Sequence, residues 1–108
     1  SYEQLHSKLR NNVLVEKRHV DKIITKDKTY HNKTGNPGMT VGGTGDVLAG
    51  LVAALTCKND LFLAATAGSY FNKKAGEALF DKVGYYFNAS DLADEIPRVM
   101  NHDILDNL

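Results

Sequence analysis

The chain has 108 residues, its 13 basic and 13 acidic residues balance to a net charge of zero, and 43% of the residues are apolar. This composition is typical of a globular protein and excludes collagen-like, low-complexity and disulfide-rich classes, the last because Cys57 is the one cysteine. Residues 47–55, the most apolar stretch, are far fewer than the roughly 18 that span a bilayer, and no signal-peptide pattern opens the chain. We therefore expect a cytoplasmic protein without a membrane partner.

The first third of the chain predicts one helix and three strands. Leu5 and Leu9 have helical spacing within residues 2–9, and the apolar residues 13–15 indicate a buried strand. Two further apolar, β-branched or aromatic runs flank the polar residues 26–28, which is the pattern of a β-hairpin.

Residues 32–46 predict a loop, because no helix or strand interior tolerates so many glycines and a proline. A helix follows from Asp46, where apolar residues recur every three or four positions. We expect an alanine-rich second helix, capped by Asn59 or Asp60, that runs to about Phe80.

We predict a third helix capped by Ser90, with Pro97 bending or shortening it, and Asp91, Asp94 and Glu95 as charges that favour the start of a helix. The predicted strands are too few to cover three or four helices in an independent domain. Residues 13–15 have the pattern of an inner strand, but the sequence lacks the neighbouring strands that an inner strand needs. The prediction is that residues 1–108 form a single partial domain, the C-terminal portion of a larger α/β domain.

The segment that carries chemistry is residues 35–50, GNPGMTVGGTGDVLAG. Its glycines let backbone N–H groups converge, and the following helix directs its positive dipole end to the same point, which makes an anion cradle. Asp46 fits there as the base toward a hydroxyl that attacks a phosphoryl group. The alternative is that Asp46 only caps the helix and the glycines only form a turn, and GTGD alone leaves both interpretations open.

Two other phosphate motifs and nucleic-acid binding are excluded. A Walker loop requires Lys-Ser or Lys-Thr where Asp46-Val47 stands, and Leu48 occupies the third glycine of a dinucleotide fingerprint. Residues 1–35 hold 8 basic and 4 acidic residues, a net charge of +4 that suits a phosphate-bearing ligand. They contain no arginine-rich run, so we expect no nucleic-acid partner.

Taken whole, residues 35–50 closely resemble the signature of the ADP/ATP-dependent NAD(P)H-hydrate dehydratases, in the ribokinase-like superfamily. Residues 89–97 resemble that family's closing helix, and residues 13–24 resemble its strand, lysine-containing loop and next strand. The resemblance spans about residues 12–100 but only the C-terminal part of the family's domain. It implies the C-terminal part of a ribokinase-like three-layer α/β fold.

The resemblance implies a repair enzyme that phosphorylates the added hydroxyl of hydrated NADH or NADPH with ADP or ATP and then eliminates phosphate. Asp46 matches the motif aspartate that binds the substrate and acts as its base. The family's anion hole falls on Gly43, Thr44 and Gly45, and the resemblance implies that Gly45 also contacts the nucleotide. The nucleotide-binding loop falls on five consecutive residues: Lys17, Arg18, His19, Val20 and Asp21. Mg²⁺, bound largely through phosphate oxygens, and homo-oligomeric assembly are also implied.

Two departures affect the expected nucleotide contacts. The family commonly has glycine where Arg18 stands, and a His-Gly pair where this chain has Asn72-Lys73. Two alternative functions stay open: a ribokinase-like kinase for a small molecule such as a vitamin precursor, and a non-catalytic nucleotide-binding fragment. The stretch ahead of GGTGD favours the dehydratase over the kinase.

The remaining candidate residues have structural interpretations. The four histidines lack paired metal-ligand spacing, so we expect no protein-built metal site. We expect Cys57 to be buried and Tyr85, Tyr86 and Phe87 to lie in the core or an interface.

Overall fold

The computed structural model describes residues 2–35 and 42–106, and these form one three-stranded sheet and four helices. The elements in chain order are α1 (Tyr2–Leu9), β1 (Leu14–Glu16), β2 (Asp21–Ile24), β3 (Thr29–Asn32), α2 (Thr44–Leu55), α3 (Leu61–Val83) and α4 (Ala89–Asp106). The architecture is α/β, as the sequence predicts. No helix in the described ranges is both long and apolar enough to span a membrane.

The sheet is antiparallel, with β2 between β1 and β3. The predicted hairpin is confirmed: Ile24 pairs with Thr29, and the Thr25 N–H donates to the Lys28 carbonyl at 2.9 Å. The prediction of a buried first strand is wrong at Leu14, whose side chain is 37% exposed. Within the described residues β1 pairs with β2 alone, so one of its edges is left uncovered.

The predicted loop before α2 is shorter than expected. Thr44, Gly45 and Asp46 belong to the first turn of α2 instead of the loop, while residues 36–41 lie outside the described residues. Gly43 adopts a left-handed conformation, which glycine tolerates, and the preceding turn ends there. The three residues that follow Gly43 therefore already belong to the helix.

The helices α2 and α3 form a closely packed pair. A Cβ on Gly68 would lie 2.5 Å from Cγ2 of Val52, so the two backbones approach without an intervening side chain. The cap by Asp60 is confirmed, since its carboxylate accepts a 2.8 Å hydrogen bond from the Leu63 N–H. Tight packing of the alanine-rich helix is also confirmed by the burial of Ala64, Ala65 and Ala75.

The start of α4 differs from the prediction. The helix begins at Ala89, and Asn88 caps it: the Asn88 side chain accepts from the Asp91 N–H, while the Asp91 carboxylate accepts from the Asn88 N–H, both at 2.9 Å. This reciprocal pair replaces the predicted Ser90 cap. Pro97 lies inside the helix, which continues to Asp106, so the predicted shortening is wrong.

The main core lies between α3 and α4, with Val47 and Leu51 of α2 packed against it. Its buried members are Ala75, Leu79, Phe87, Leu92 and Ile96. Phe87 is buried as predicted, but its neighbour Tyr86 is 93% exposed. Cys57 is exposed, contrary to prediction, because α2 ends at Leu55 and the cysteine lies in the connection to α3.

Candidate functional site

The start of α2 has the geometry of an anion site. Gly43 is the N-cap residue with φ +94° and ψ −12°, and no side chain caps the helix there. The Val47 N–H donates to the Gly43 carbonyl at 3.1 Å, which closes the first turn. The N–H groups of the first turn of a helix lack intrahelical acceptors and carry the positive end of the helix dipole. Thr44 is buried, whereas Gly45 and the carboxylate-bearing Asp46 are exposed to an incoming ligand.

The structure places Lys17 beside this helix start, and both belong to the segments for which the sequence analysis predicts nucleotide contacts. A Cβ on Gly45 would lie 3.6 Å from Cδ of Lys17, so the lysine side chain lies beside the bare backbone of α2. Both residues line a groove of about 440 Å³. The other residues of its wall are apolar: Val15, Leu48, Ala49, Val52 and Ala53. An apolar groove with one ammonium at its edge suits a flat aromatic ring that carries phosphates.

Residues 17–20 connect β1 to β2, and Asp21 is the first residue of β2. Because the predicted nucleotide-binding segment is residues 17–21, we call this connection the nucleotide loop. The side chains of Arg18 and His19 are exposed, and the Arg18 guanidinium pairs with Glu16 at 2.9 Å. Val20 is half-buried. The loop therefore presents polar side chains on its outer side, next to the groove that Lys17 lines.

Asp21 shapes the loop from inside. Its carboxylate is fully buried and accepts hydrogen bonds from the Arg18 N–H at 3.0 Å and from the Ser69 hydroxyl at 2.8 Å. The ammonium of Lys73 lies 3.6 Å from the same carboxylate. Because the side chain of Asp21 faces the interior, only its backbone atoms could make the predicted contact with a nucleotide.

Lys73 is a buried cation that the sequence analysis did not assign to the site. Its side chain is 3% exposed, and its ammonium donates to the carbonyls of Arg18 at 2.9 Å and His19 at 3.2 Å. Burial lowers the pKa of Lys73, an effect that Asp21 opposes and that the charge of Lys17 reinforces. The available signal was the Asn72-Lys73 pair at the place where the family commonly has His-Gly.

The same buried network reaches the Gly-rich segment. The Asn32 amide donates to the Ser69 hydroxyl at 3.0 Å, and its oxygen accepts from the Thr34 hydroxyl at 2.8 Å. The Gly35 N–H donates to the Glu77 carboxylate at 3.0 Å.

Among residues 2–35 and 42–106, no three His, Cys, Asp or Glu residues cluster closely enough to hold a metal ion.

Comparison with known proteins matches this chain to one enzyme family. A family model described as NAD(P)H-hydrate dehydratase matches residues 2–98. The bifunctional NAD(P)H-hydrate repair enzyme of Methanocaldococcus jannaschii is 46% identical over 87 residues, which are 81% of this chain and 18% of that protein. The ADP-dependent (S)-NAD(P)H-hydrate dehydratase of Nitrosopumilus maritimus is 44% identical over 81 residues, 74% of this chain and 28% of that protein.

A solved structure shares the fold. The ADP/ATP-dependent NAD(P)H-hydrate dehydratase from Bacillus subtilis, co-crystallised with ATP/Mg²⁺ and soaked with CoA, superimposes with a TM-score of 0.83 at 27% identity. The match covers 94% of this chain and 38% of that structure. The chain spans about a fifth of the length of the bifunctional relatives.

Proposed function

The chain belongs to the NAD(P)H-hydrate dehydratase family, and we propose that it supplies the phosphate- and nucleotide-binding part of an enzyme that restores hydrated NADH and NADPH with ADP or ATP. The observation that carries this proposal is the placement of Lys17 against Gly45 at the start of α2, with Asp46 exposed one residue further. Because the chain spans a small share of its relatives, we propose that residues 1–108 are a C-terminal portion of a ribokinase-like domain.

The proposed reaction assigns one step to each part of this site. Asp46 accepts the proton of the ring hydroxyl as the hydroxyl oxygen attacks the terminal phosphorus of the nucleotide. The bond from that phosphorus to its bridging oxygen breaks, and the nucleotide leaves one phosphate shorter, as AMP from ADP or as ADP from ATP. The N–H groups at the start of α2, from Gly43 to Gly45, stabilise the charge on the transferring group. The C–O bond of the phosphorylated ring then breaks, phosphate leaves with the bonding electrons, and loss of a proton from the adjacent carbon restores the double bond.

The groove beside Lys17 suits the nucleotide. Its apolar wall of Leu48 and Val52 offers contact to the adenine ring, and the Lys17 ammonium offers its charge to the phosphates. The described residues provide no acidic cluster for a resident metal, and we propose that Mg²⁺ enters bound to the phosphate oxygens. We propose that the protein forms a homo-oligomer, because an unpaired strand edge such as that of β1 favours association. We also propose that the protein resides in the cytoplasm.

The test follows the return of NADH absorbance from hydrated NADH with Mg²⁺ and either ADP or ATP. The chain and the complete domain that contains it are assayed in parallel. Recovery by the complete domain supports the dehydratase, and nucleotide binding without turnover by the chain alone supports its assignment as one part of the site. Absence of recovery in both, with phosphorylation of a small-molecule hydroxyl, would support the kinase instead.

Two variants assign the roles in the complete domain. Asp46→Asn keeps the shape but removes the base, so turnover falls by roughly 100-fold or more while nucleotide affinity is retained. Lys17→Ala weakens nucleotide affinity, and Lys58→Ala, at an exposed lysine beyond α2, is its control. Near-normal turnover by the Asp46 variant would remove that residue from the role of base.

A further inference from the structure

The ammonium of Lys73 is held by three oxygens of the nucleotide loop and its flank. It donates to the carbonyls of Arg18 and His19 at 2.9 and 3.2 Å and lies 3.6 Å from the Asp21 carboxylate. Two of the three N–H donors of the ammonium are therefore engaged by backbone carbonyls, and the Asp21 carboxylate adds an ion pair. Because the lysine side chain is 3% exposed, solvent does not compete for its partners.

This arrangement fixes the direction of two peptide groups. A trans peptide is planar, and its N–H points opposite to its carbonyl. The carbonyls of Arg18 and His19 point inward at Lys73, so the N–H groups of His19 and Val20 point toward the outer side of the loop. Two successive N–H groups that face outward form a site for an anion such as a phosphate.

The methylene chain of Lys73 also lies against the first residue of the Gly-rich segment. A Cβ on Gly35 would be 2.6 Å from Cδ of Lys73, so only a glycine admits the lysine here. Gly35 has φ +104° and is tied to α3 through its N–H bond to Glu77. One side chain therefore contacts both the nucleotide loop and the first residue of the Gly-rich segment.

We propose that Lys73 is a positioning residue that holds the nucleotide loop by its Arg18 and His19 carbonyls and so directs the N–H groups of His19 and Val20 toward a phosphate of the bound nucleotide. The inference rests on the proposed function, because it assigns the nucleotide to this loop. It names the side chain on α3 that sets the shape of the loop.

The test compares Lys73→Met, which keeps most of the side chain's length but removes the N–H donors, with Lys74→Met. Lys74 is the neighbouring lysine, half-exposed and paired with Glu77 at 3.3 Å on the same helix. We measure ATP and ADP dissociation constants by calorimetry, and hydrogen exchange of the Arg18 amide by NMR in the unliganded chain. Lys73→Met should weaken nucleotide binding by about tenfold or more and speed this exchange, since it removes two hydrogen bonds. Lys74→Met should leave both unchanged.

A second variant separates positioning from charge balance and guards against misfolding. Asp21→Asn combined with Lys73→Met removes both buried charges and keeps an oxygen acceptor for the Arg18 N–H. Compared with Lys73→Met alone, this double variant should be more stable but should not bind nucleotide more tightly. The carbonyls of Arg18 and His19 still lack a hydrogen-bond donor in it. Full recovery of affinity would overturn the proposal, as would a Lys73→Met variant with wild-type affinity and exchange.

Failure of the proposed function gives a different result. If the wild-type chain and the complete domain bind neither ATP nor ADP, the nucleotide assignment fails together with the phosphate role of the loop. The exchange rate of the Arg18 amide then still decides whether Lys73 holds the loop.

Discussion

The hydroxyl of Ser69 on α3 donates a hydrogen bond of 2.8 Å to the carboxylate of Asp21 at the start of β2, although the two residues lie 48 positions apart. Both side chains are completely buried. The same hydroxyl accepts from the Asn32 amide at 3.0 Å. One hydroxyl therefore joins a helix and two strands beneath the nucleotide loop.

Asp21→Ala should lower the free energy of unfolding by about 3–5 kcal/mol, because it leaves the buried ammonium of Lys73 without its counter-charge and the Ser69 hydroxyl without its acceptor. Urea denaturation measures the change. Asp27→Ala, at an exposed aspartate in the turn between β2 and β3, is the matched control and should shift stability by less than about 0.5 kcal/mol. Equal effects of the two variants would contradict the role of the buried carboxylate.

The stability that Lys73 contributes should depend on pH. Burial lowers its pKa from the ordinary 10.5, so between the lowered pKa and 10.5 the unfolded chain binds more protons than the folded one. Stability relative to Lys73→Met should therefore rise with pH across this window. Urea titrations of both proteins from neutral pH to about 10.5 give the difference, in which the titration of groups common to both cancels. A difference that falls with pH would show that the Asp21 charge outweighs burial.

Gly43→Ala should destabilise the chain by about 1–3 kcal/mol, because its φ of +94° disfavours a side chain and the new Cβ would lie 2.9 Å from Cβ of Ala89. Gly50→Ala is the control within the same helix. Nothing lies within 4 Å of a Cβ at Gly50, so this change should stabilise α2 by about 1 kcal/mol. Thermal unfolding measures both, and a shift in the same direction would show that Gly43 is not required by conformation.

The two buried asparagines should respond in opposite ways. Neither side-chain polar atom of Asn72 has a hydrogen-bond partner among the described residues, whereas Asn32 bonds to Ser69 and Thr34. Asn72→Ala should raise the free energy of unfolding by about 1 kcal/mol, because it removes an uncompensated amide and favours the helix. Asn32→Ala should lower it by about 1–2 kcal/mol. Destabilisation by Asn72→Ala would show that the packing lost with the side chain outweighs the removal of the amide.

Local patterns predicted the elements well where local forces decide them. The hairpin, the Asp60 cap and the apolar face of α2 follow from neighbouring residues, and the structure contains all three. The sequence analysis assigned the cap of α4 to Ser90 and missed Asn88, which exchanges hydrogen bonds with Asp91 three residues later. Which polar residue caps a helix depends on where packing of Leu92 and Ile96 fixes its first turn.

The sequence analysis missed the part of the site that is built from residues far apart in the chain. Gly43, Gly45 and Asp46 belong to one continuous segment, so their proximity was predictable. Lys73 acquires its partners only through α3 packing on the sheet, which brings it to carbonyls 54 and 55 positions earlier in the chain. No periodicity or spacing connects such residues.

The separation of these partners also bears on the order in which the chain folds. α2 and α3 are joined by a short connection and pack through Gly68 and Val52, so their contacts close only a short length of chain. The hydrogen bond between Ser69 and Asp21 closes a 48-residue loop and therefore has a larger entropic cost before it forms. We expect the helix pair to be structured in the folding transition state and the nucleotide loop to reach its final shape afterwards.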